Sequence, residues 1–209
     1  MTATWRSTQK ANRRARLLDE AAALFAERGF AAVTTAEIGE AVGMSGPALY
    51  KHFASKDAIL AELLVDASER LLAGCRDILA QRGAEPGSAA GDDAGSDVDA
   101  SVAASLIAEL VAFHIGFATA APDIIRIQDR ELAGLGPDAN HRVRSLQRSY
   151  VDAWDRVLAA ARPDLSAAER QTRLLGVFGL LNSTPHSAAA SGADAAGILA
   201  GMAERALLG

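Results

Sequence analysis

The chain has 209 residues and a net charge of −5; half of its residues are hydrophobic, but only 5% are aromatic. That length can bury a core as one domain or as two small ones, and an alanine-rich chain with few β-branched runs is expected to be all-α. The single cysteine, Cys75, excludes an intrachain disulfide framework and any zinc site built from several cysteines.

Met1 to Lys10 holds no apolar run of the signal-peptide kind, and no stretch of about 18 apolar residues is read anywhere. The expectation is a soluble, cytoplasmic chain without a membrane partner. The charge is unevenly spread. Residues 1–56 carry eight basic against five acidic side chains, net +3, and the remainder carries 13 against 21, net −8. A basic end on an acidic chain points to a nucleic-acid partner, although a solvated face gives similar counts.

From Arg13 to Arg28 the apolar residues Leu17, Leu18, Ala21, Ala22, Leu24 and Phe25 recur at helical spacing, and Gly29 suits a left-handed stop with Phe30 folding back. A second helix opens with a capping box, Thr34-Thr35-Ala36-Glu37, buries Ile38, Ala41 and Val42, and ends at Gly43. Ser45 is the expected N-cap of a third helix that tolerates Pro47 in its first turn and carries Leu49, Tyr50 and Phe53. Ser55 caps a fourth, running to about Gln81. The stretch 83–100 is rich in Gly, Ala, Ser and Asp and reads as a flexible loop. Beyond it, helices are expected over 102–120, from Pro122 to the Gly134–Pro137 break, over 138–161, from the Ser166–Glu169 capping box to Asn182, and over 192–207, with Pro185 breaking or kinking the chain between the last two. About nine helices result, and no strand.

Two short helices joined at a glycine and braced by a preceding helix form a helix-turn-helix, whose second helix can enter the major groove. Small residues at Ser45, Gly46 and Pro47 would let backbone approach base edges, while Tyr50, Lys51 and His52 offer phosphate donors and Lys56 opens the next helix. The run from Thr34 to Leu60, with Gly29, Thr35, Ile38, Ala41, Gly43, Leu49-Tyr50, His52-Phe53 and Lys56 in place, resembles the signature of the TetR family of transcriptional regulators, and the likeness covers about residues 12–64. Pro47 departs from it mildly, at a position the family more often fills with a polar or small residue.

The resemblance implies an all-α chain: a DNA-binding domain at 1–55, a linker helix at 56–82, the loop at 83–100, and a ligand-binding and dimerisation domain at 101–209. It implies that Thr35, Tyr50, His52 and Lys56 hold phosphates of double-stranded operator DNA, with Thr34 beside them. Ser45, Gly46, Pro47, Ala48 and Lys51 would face bases. A homodimer would pair its last two helices through the small residues Gly176, Gly179 and Ala188 to Ala190. For the effector, the middle helices offer Phe113, His114, Phe117, Gln128, Arg130, Tyr150, Trp154, Phe178, Asn182 and His186 as the lining of an apolar cavity with polar anchors. The same aromatics also read as ordinary core. Arg126, Arg130, Arg142, Arg144, Arg148 and His141 could receive the anionic end of a fatty acid or acyl-coenzyme A, but the interleaved Asp123, Asp129, Glu131 and Asp138 equally suggest surface ion pairs.

The expected function is a repressor released by a small hydrophobic effector. A ligand-independent regulator or activator stands beside it, and more remotely a helical binding protein or enzyme. Four histidines without metal-ligand spacing, no phosphate loop and no nucleophile elbow leave no cofactor, metal or catalytic residue to name.

Overall fold

The computed structural model describes residues 2–44, 46–83, 100–191 and 194–209. The Ser45 cap and base contact, the surroundings of Gly46, Pro47 and Ala188 to Ala190, and nearly all of the expected loop at 83–100 lie outside the residues described.

Ten α-helices occur among the described residues. They are α1 (Thr2–Arg28), α2 (Thr35–Ala41), α3 (Gly46–Leu49), α4 (Lys56–Gln81), α5 (Ala100–Ala120), α6 (Pro122–Glu131), α7 (Pro137–Ala161), α8 (Ala167–Asn182), α9 (Thr184–Ser191) and α10 (Ala195–Leu208), with one 3-10 turn at Leu132–Gly134. Three differences from the sequence reading have physical reasons. α1 starts at Thr2 instead of Arg13: no glycine or proline interrupts residues 2–12, so the helix runs on beyond its apolar stripe. α3 is only one turn long. Its continuation tightens into i+3 bonds, Lys51 N to Ala48 O at 3.3 Å and His52 N to Leu49 O at 2.8 Å, so Tyr50, Lys51 and His52 stand on a turn beyond the helix.

The third difference is α9, an additional helix that raises the count above nine. Ser183 and Thr184 donate their hydroxyls to the Leu180 and Leu181 carbonyls, both at 2.6 Å, closing α8; Pro185 then falls in the first turn of α9, where a missing amide costs little. α5 is also more apolar than expected, with a mean hydropathy of 1.7 over a length that could cross a membrane. In this fold it is a core helix, its Leu106, Ile107, Leu110 and Val111 at most 1% exposed.

The chain forms two compact units, Met1–Ala67 with Asp123–Val143, and Ser68–Pro122 with Arg144–Gly209. In the first, α1 packs on α2 and α2 on α3, and Leu17, Phe25, Ile38, Leu49 and Ile59 are completely buried. In the second, α5, α8 and α10 pack on one another around a core that includes Cys75, Trp154, Leu158, Leu174 and Leu181, with α9 against all three. Burying a large aliphatic or aromatic side chain contributes about 1.5–3 kcal/mol, so both cores rest mainly on such residues.

Candidate nucleic-acid interface and buried polar cluster

The front of the first unit is built by its caps. The Glu37 amide donates to Thr34 Oγ1 at 3.2 Å and the Thr34 amide donates to Glu37 Oε2 at 2.7 Å, a complete capping box. The Thr34 hydroxyl, which donates to Glu37 Oε2 at 2.7 Å, and the Thr34 amide, reinforced by Arg28 at 2.8 Å, pull the Glu37 carboxyl down to about 2. α2 stops at Gly43, whose φ of +68° favours glycine. Gly43 N donates to Glu40 O at 2.9 Å and Met44 N to Gly39 O at 2.8 Å, the paired bonds of a Schellman stop that turn the chain into α3.

Tyr50 then stands outward, 55% exposed, with its hydroxyl 3.1 Å from that of Thr35, so two neighbouring hydroxyls, one from α2 and one from the turn after α3, share one surface. Lys51 is exposed beside them, His52 and Ala48 are half-buried, and Leu49 and Phe53 anchor the turn from below. The floor is set by Arg14, which the sequence reading did not single out. Its Nε donates to Glu62 Oε1 at 2.7 Å, its Nη1 donates to the His52 carbonyl, and its guanidinium lies 4.1 Å over the Phe53 ring.

Lys56 is placed differently from a free phosphate donor. Its ammonium donates to the Phe30 and Val33 carbonyls at 2.7 and 2.8 Å and lies 4.3 Å over the Phe30 ring, tying down the connection between α1 and α2. Phe30 in turn meets Phe25 edge-on at 5.2 Å, beside Gly29 with its φ of +82°.

Five of the ten residues proposed to line a ligand site come together in the second unit. His114, 3% exposed, is bracketed by the Tyr150 hydroxyl at 3.1 Å from Nδ1 and by Asn182 Oδ1 at 3.0 Å from Nε2. An Asn182 oxygen accepts only, so Nε2 carries the proton; Nδ1 of the neutral ring then accepts from Tyr150. Burial holds the imidazole below its ordinary range, against the opposing pull of Asn182, and burial pushes the Tyr150 phenol up. Trp154 and Phe178 close the cluster, their rings 5.1 Å apart and 6.4 and 5.6 Å from His114.

The other five are elsewhere. Phe113 packs against α4 where Gly74 leaves room for its ring, and Phe117 lies under Arg70 at 5.5 Å. His186 is exposed on α9. Gln128 and Arg130 belong to the first unit, where Arg130 donates to the Phe25 and Ala26 carbonyls at the end of α1. Of the basic residues around the 134–137 break, Arg126 is paired with Asp123 at 2.9 Å, as the ion-pair reading expected.

Residues 17–63 match the family model described as "Bacterial regulatory proteins, tetR family". The transcriptional repressor KstR2 of Rhodococcus jostii (strain RHA1) is 44% identical over 71 residues, 34% of this chain and 35% of that protein. The aligned segment thus spans about a third of the curated relative. Among solved structures, the TetR-family regulator PfmR of Thermus thermophilus superposes with a TM-score of 0.73 at 20% identity, covering 93% of this chain and 98% of that one. The regulator FadR of Bacillus subtilis, solved in complex with stearoyl-CoA, gives 0.66 at 14% identity, over 92% and 96%. Residues 17–63 thus match the tetR-family model, and over nearly its whole length the chain shares the all-helical fold of solved TetR-family structures.

Proposed function

We propose that the chain is a DNA-binding transcriptional regulator of the cytoplasm, a repressor that holds a palindromic operator as a homodimer and leaves it when a small hydrophobic effector binds. The observation that carries the first part is the exposed hydroxyl pair Thr35 and Tyr50, presented with Lys51 on a capped and anchored turn. Hydroxyls and a lysine on one exposed surface suit phosphate oxygens, which position a reading head on the duplex. On this reading residues 1–55 are the DNA-binding domain, 56–82 a linker helix, and 101–209 the effector and dimerisation domain. Ser45, Gly46, Pro47 and Ala48 approach the bases, His52 supports the turn, and Lys56 acts from below through the connection it clamps.

Dimerisation is supported by α8 and α10, which pack together yet leave Leu175, Ile198 and Met202 between 43% and 59% exposed. Gly176 and Gly179 have open space around them, which lets another helix approach. A second copy of the same surface suits that face, and two recognition turns give a half-site to each protomer. For the effector, the buried His114, Tyr150 and Asn182 offer polar anchors in an aromatic setting, and FadR, of the same fold, holds an acyl-coenzyme A. The KstR2 name supports repression. The role is one of binding, without catalysis or cofactor.

The test is fluorescence anisotropy with the DNA upstream of the protein's own gene, titrated across salt and then with stearoyl-CoA. Lys51→Ala should reduce the salt slope by about two, roughly 0.9 for the one phosphate that each protomer's lysine no longer neutralises, and Tyr50→Phe should weaken all sequences alike. Stearoyl-CoA should release the wild type. Unchanged salt slopes in Lys51→Ala would place the reading head elsewhere.

A further inference from the structure

The second unit carries an open groove of about 260 Å³ between α4 and α7 that shares no residue with the His114 cluster. Its floor is apolar, with Leu72, Leu79 and Ala153 each at most 5% exposed. Arg76 from α4 and Arg156 from α7 line it, together with Asp152 and Ser149. The other arginines of this unit that make ion pairs are spoken for: Arg82 by Glu109, Arg162 by Asp164 and Arg170 by Asp155. Arg76 and Arg156 form no ion pair among the described residues, although both are near enough to Cys75 for their charge to act on its thiol.

Two exposed guanidiniums lining one groove with an apolar floor can be bridged by one anion, because their planar donors match the oxygens of carboxylate or phosphate. Asp152 reduces the formal charge of the lining to +1, so the complementary ligand is a small anion with a hydrogen-bond donor next to its charged group. The volume lies below the 300–1,000 Å³ typical of drug-sized pockets, which excludes a long acyl chain from this place.

We propose that this groove is a second ligand site, taking a short hydroxylated or aminated organic anion. Its carboxylate or phosphate oxygens meet Arg76 and Arg156, its donor meets Asp152, with Ser149 in reach of either, and its carbon skeleton covers Leu72 and Leu79. The site does not rest on the DNA-binding reading, and its test is independent of it.

Isothermal titration of the full chain at about 0.15 M salt, where screening limits diffuse attraction, uses three probes: glycerol 3-phosphate, 3-hydroxybutyrate and inorganic phosphate. The wild type is expected to bind glycerol 3-phosphate or 3-hydroxybutyrate, and whichever binds tighter identifies the charged group recognised. Arg76→Gln and Arg156→Gln should each weaken it about tenfold or more, the loss of a charge-assisted hydrogen bond. Asp152→Asn should weaken the hydroxylated probe yet strengthen inorganic phosphate, a reversal that general loss of structure cannot produce. All three side chains are exposed, so circular dichroism should show unchanged folds. Wild-type binding no tighter than about 10 mM for both organic probes, or arginine variants that bind as well as wild type, would overturn the assignment.

Discussion

Replacing Lys56 with methionine keeps the apolar stem and removes the ammonium, which separates a structural lysine from a phosphate-binding one. In the folded chain that ammonium accounts for two close hydrogen bonds, to Phe30 O at 2.7 Å and Val33 O at 2.8 Å, and for an approach to the Phe30 ring at 4.3 Å. A hydrogen bond with one charged partner contributes about 1.5–3 kcal/mol and an exposed cation–π pair about 0.5–1 kcal/mol. Lys56 is only half-buried, so the released carbonyls regain water and the net loss is discounted to about 2 kcal/mol. For a chain of 150–250 residues that corresponds to a melting point lower by roughly 4–8 °C. Calorimetry at low and at about 1 M salt measures it, and the deficit should survive the salt because short hydrogen bonds are screened less than surface charges. DNA affinity would fall with it, through a loosened connection between α1 and α2. A variant that melts within about 1 °C of wild type, yet loses operator affinity and salt slope, would refute the reasoning and return Lys56 to the phosphates.

His114 gives a pH signature. Burial lowers its proton affinity in the folded chain. Below the unfolded value of about 6.5 the unfolded state therefore takes up a proton that the folded state refuses, and stability falls as pH drops, by at most about 1.4 kcal/mol per unit. Urea midpoints at neutral pH and about one unit below 6.5 should diverge for wild type and much less for His114→Gln; equal divergence in both would remove His114 as the cause. On the α8–α10 face, Leu175→Asp with Ile198→Asp should convert a dimer into a folded monomer in sedimentation, since both side chains are already more than half exposed and their loss costs little within the protomer. A sedimentation profile equal to wild type would move the dimer interface elsewhere.

What the sequence revealed was whatever is encoded over short distances. The capping boxes at Thr34–Glu37 and Ser166–Glu169, the positive-φ stops at Gly29 and Gly43, and the Ser55 cap all depend on residues within a few positions of one another, and each is found where expected. The apolar stripes of α1 and α4 locate their buried faces for the same reason. Helix ends set by tertiary or tight-turn geometry were not legible. Nothing local separates the α-turns of α3 from the i+3 turns at Lys51 and His52, and Pro185 reads as a breaker until Ser183 and Thr184 are seen closing the preceding helix. The same limit divides the candidate ligand residues. His114, Tyr150, Trp154, Phe178 and Asn182 all carry side chains that seek partners in a core, whereas Arg130 and His186 had only composition to recommend them.

The least legible feature is the support behind the α2–α3 front. Arg130 donates to the Phe25 and Ala26 carbonyls across more than 100 residues of chain, and the Phe30 amide donates to Glu131 Oε1 at 3.3 Å. Consecutive residues at the end of α6 thus hold polar groups at the end of α1, and Lys56 holds the Phe30 carbonyl. These groups lie at or just past the end of α1, where few backbone partners remain; the Phe25 carbonyl also accepts from Gly29 N at 3.0 Å. Arg130, which the sequence offered as an effector anchor, therefore acts as a cap for a distant helix. Asp123–Val143 belongs to the same compact unit as Met1–Ala67, and these bonds are among the contacts within it. A boundary drawn at residue 55 follows the motif, but the compact unit that carries the motif includes α6, because α1 ends in carbonyls that a guanidinium from outside the first 55 residues reaches.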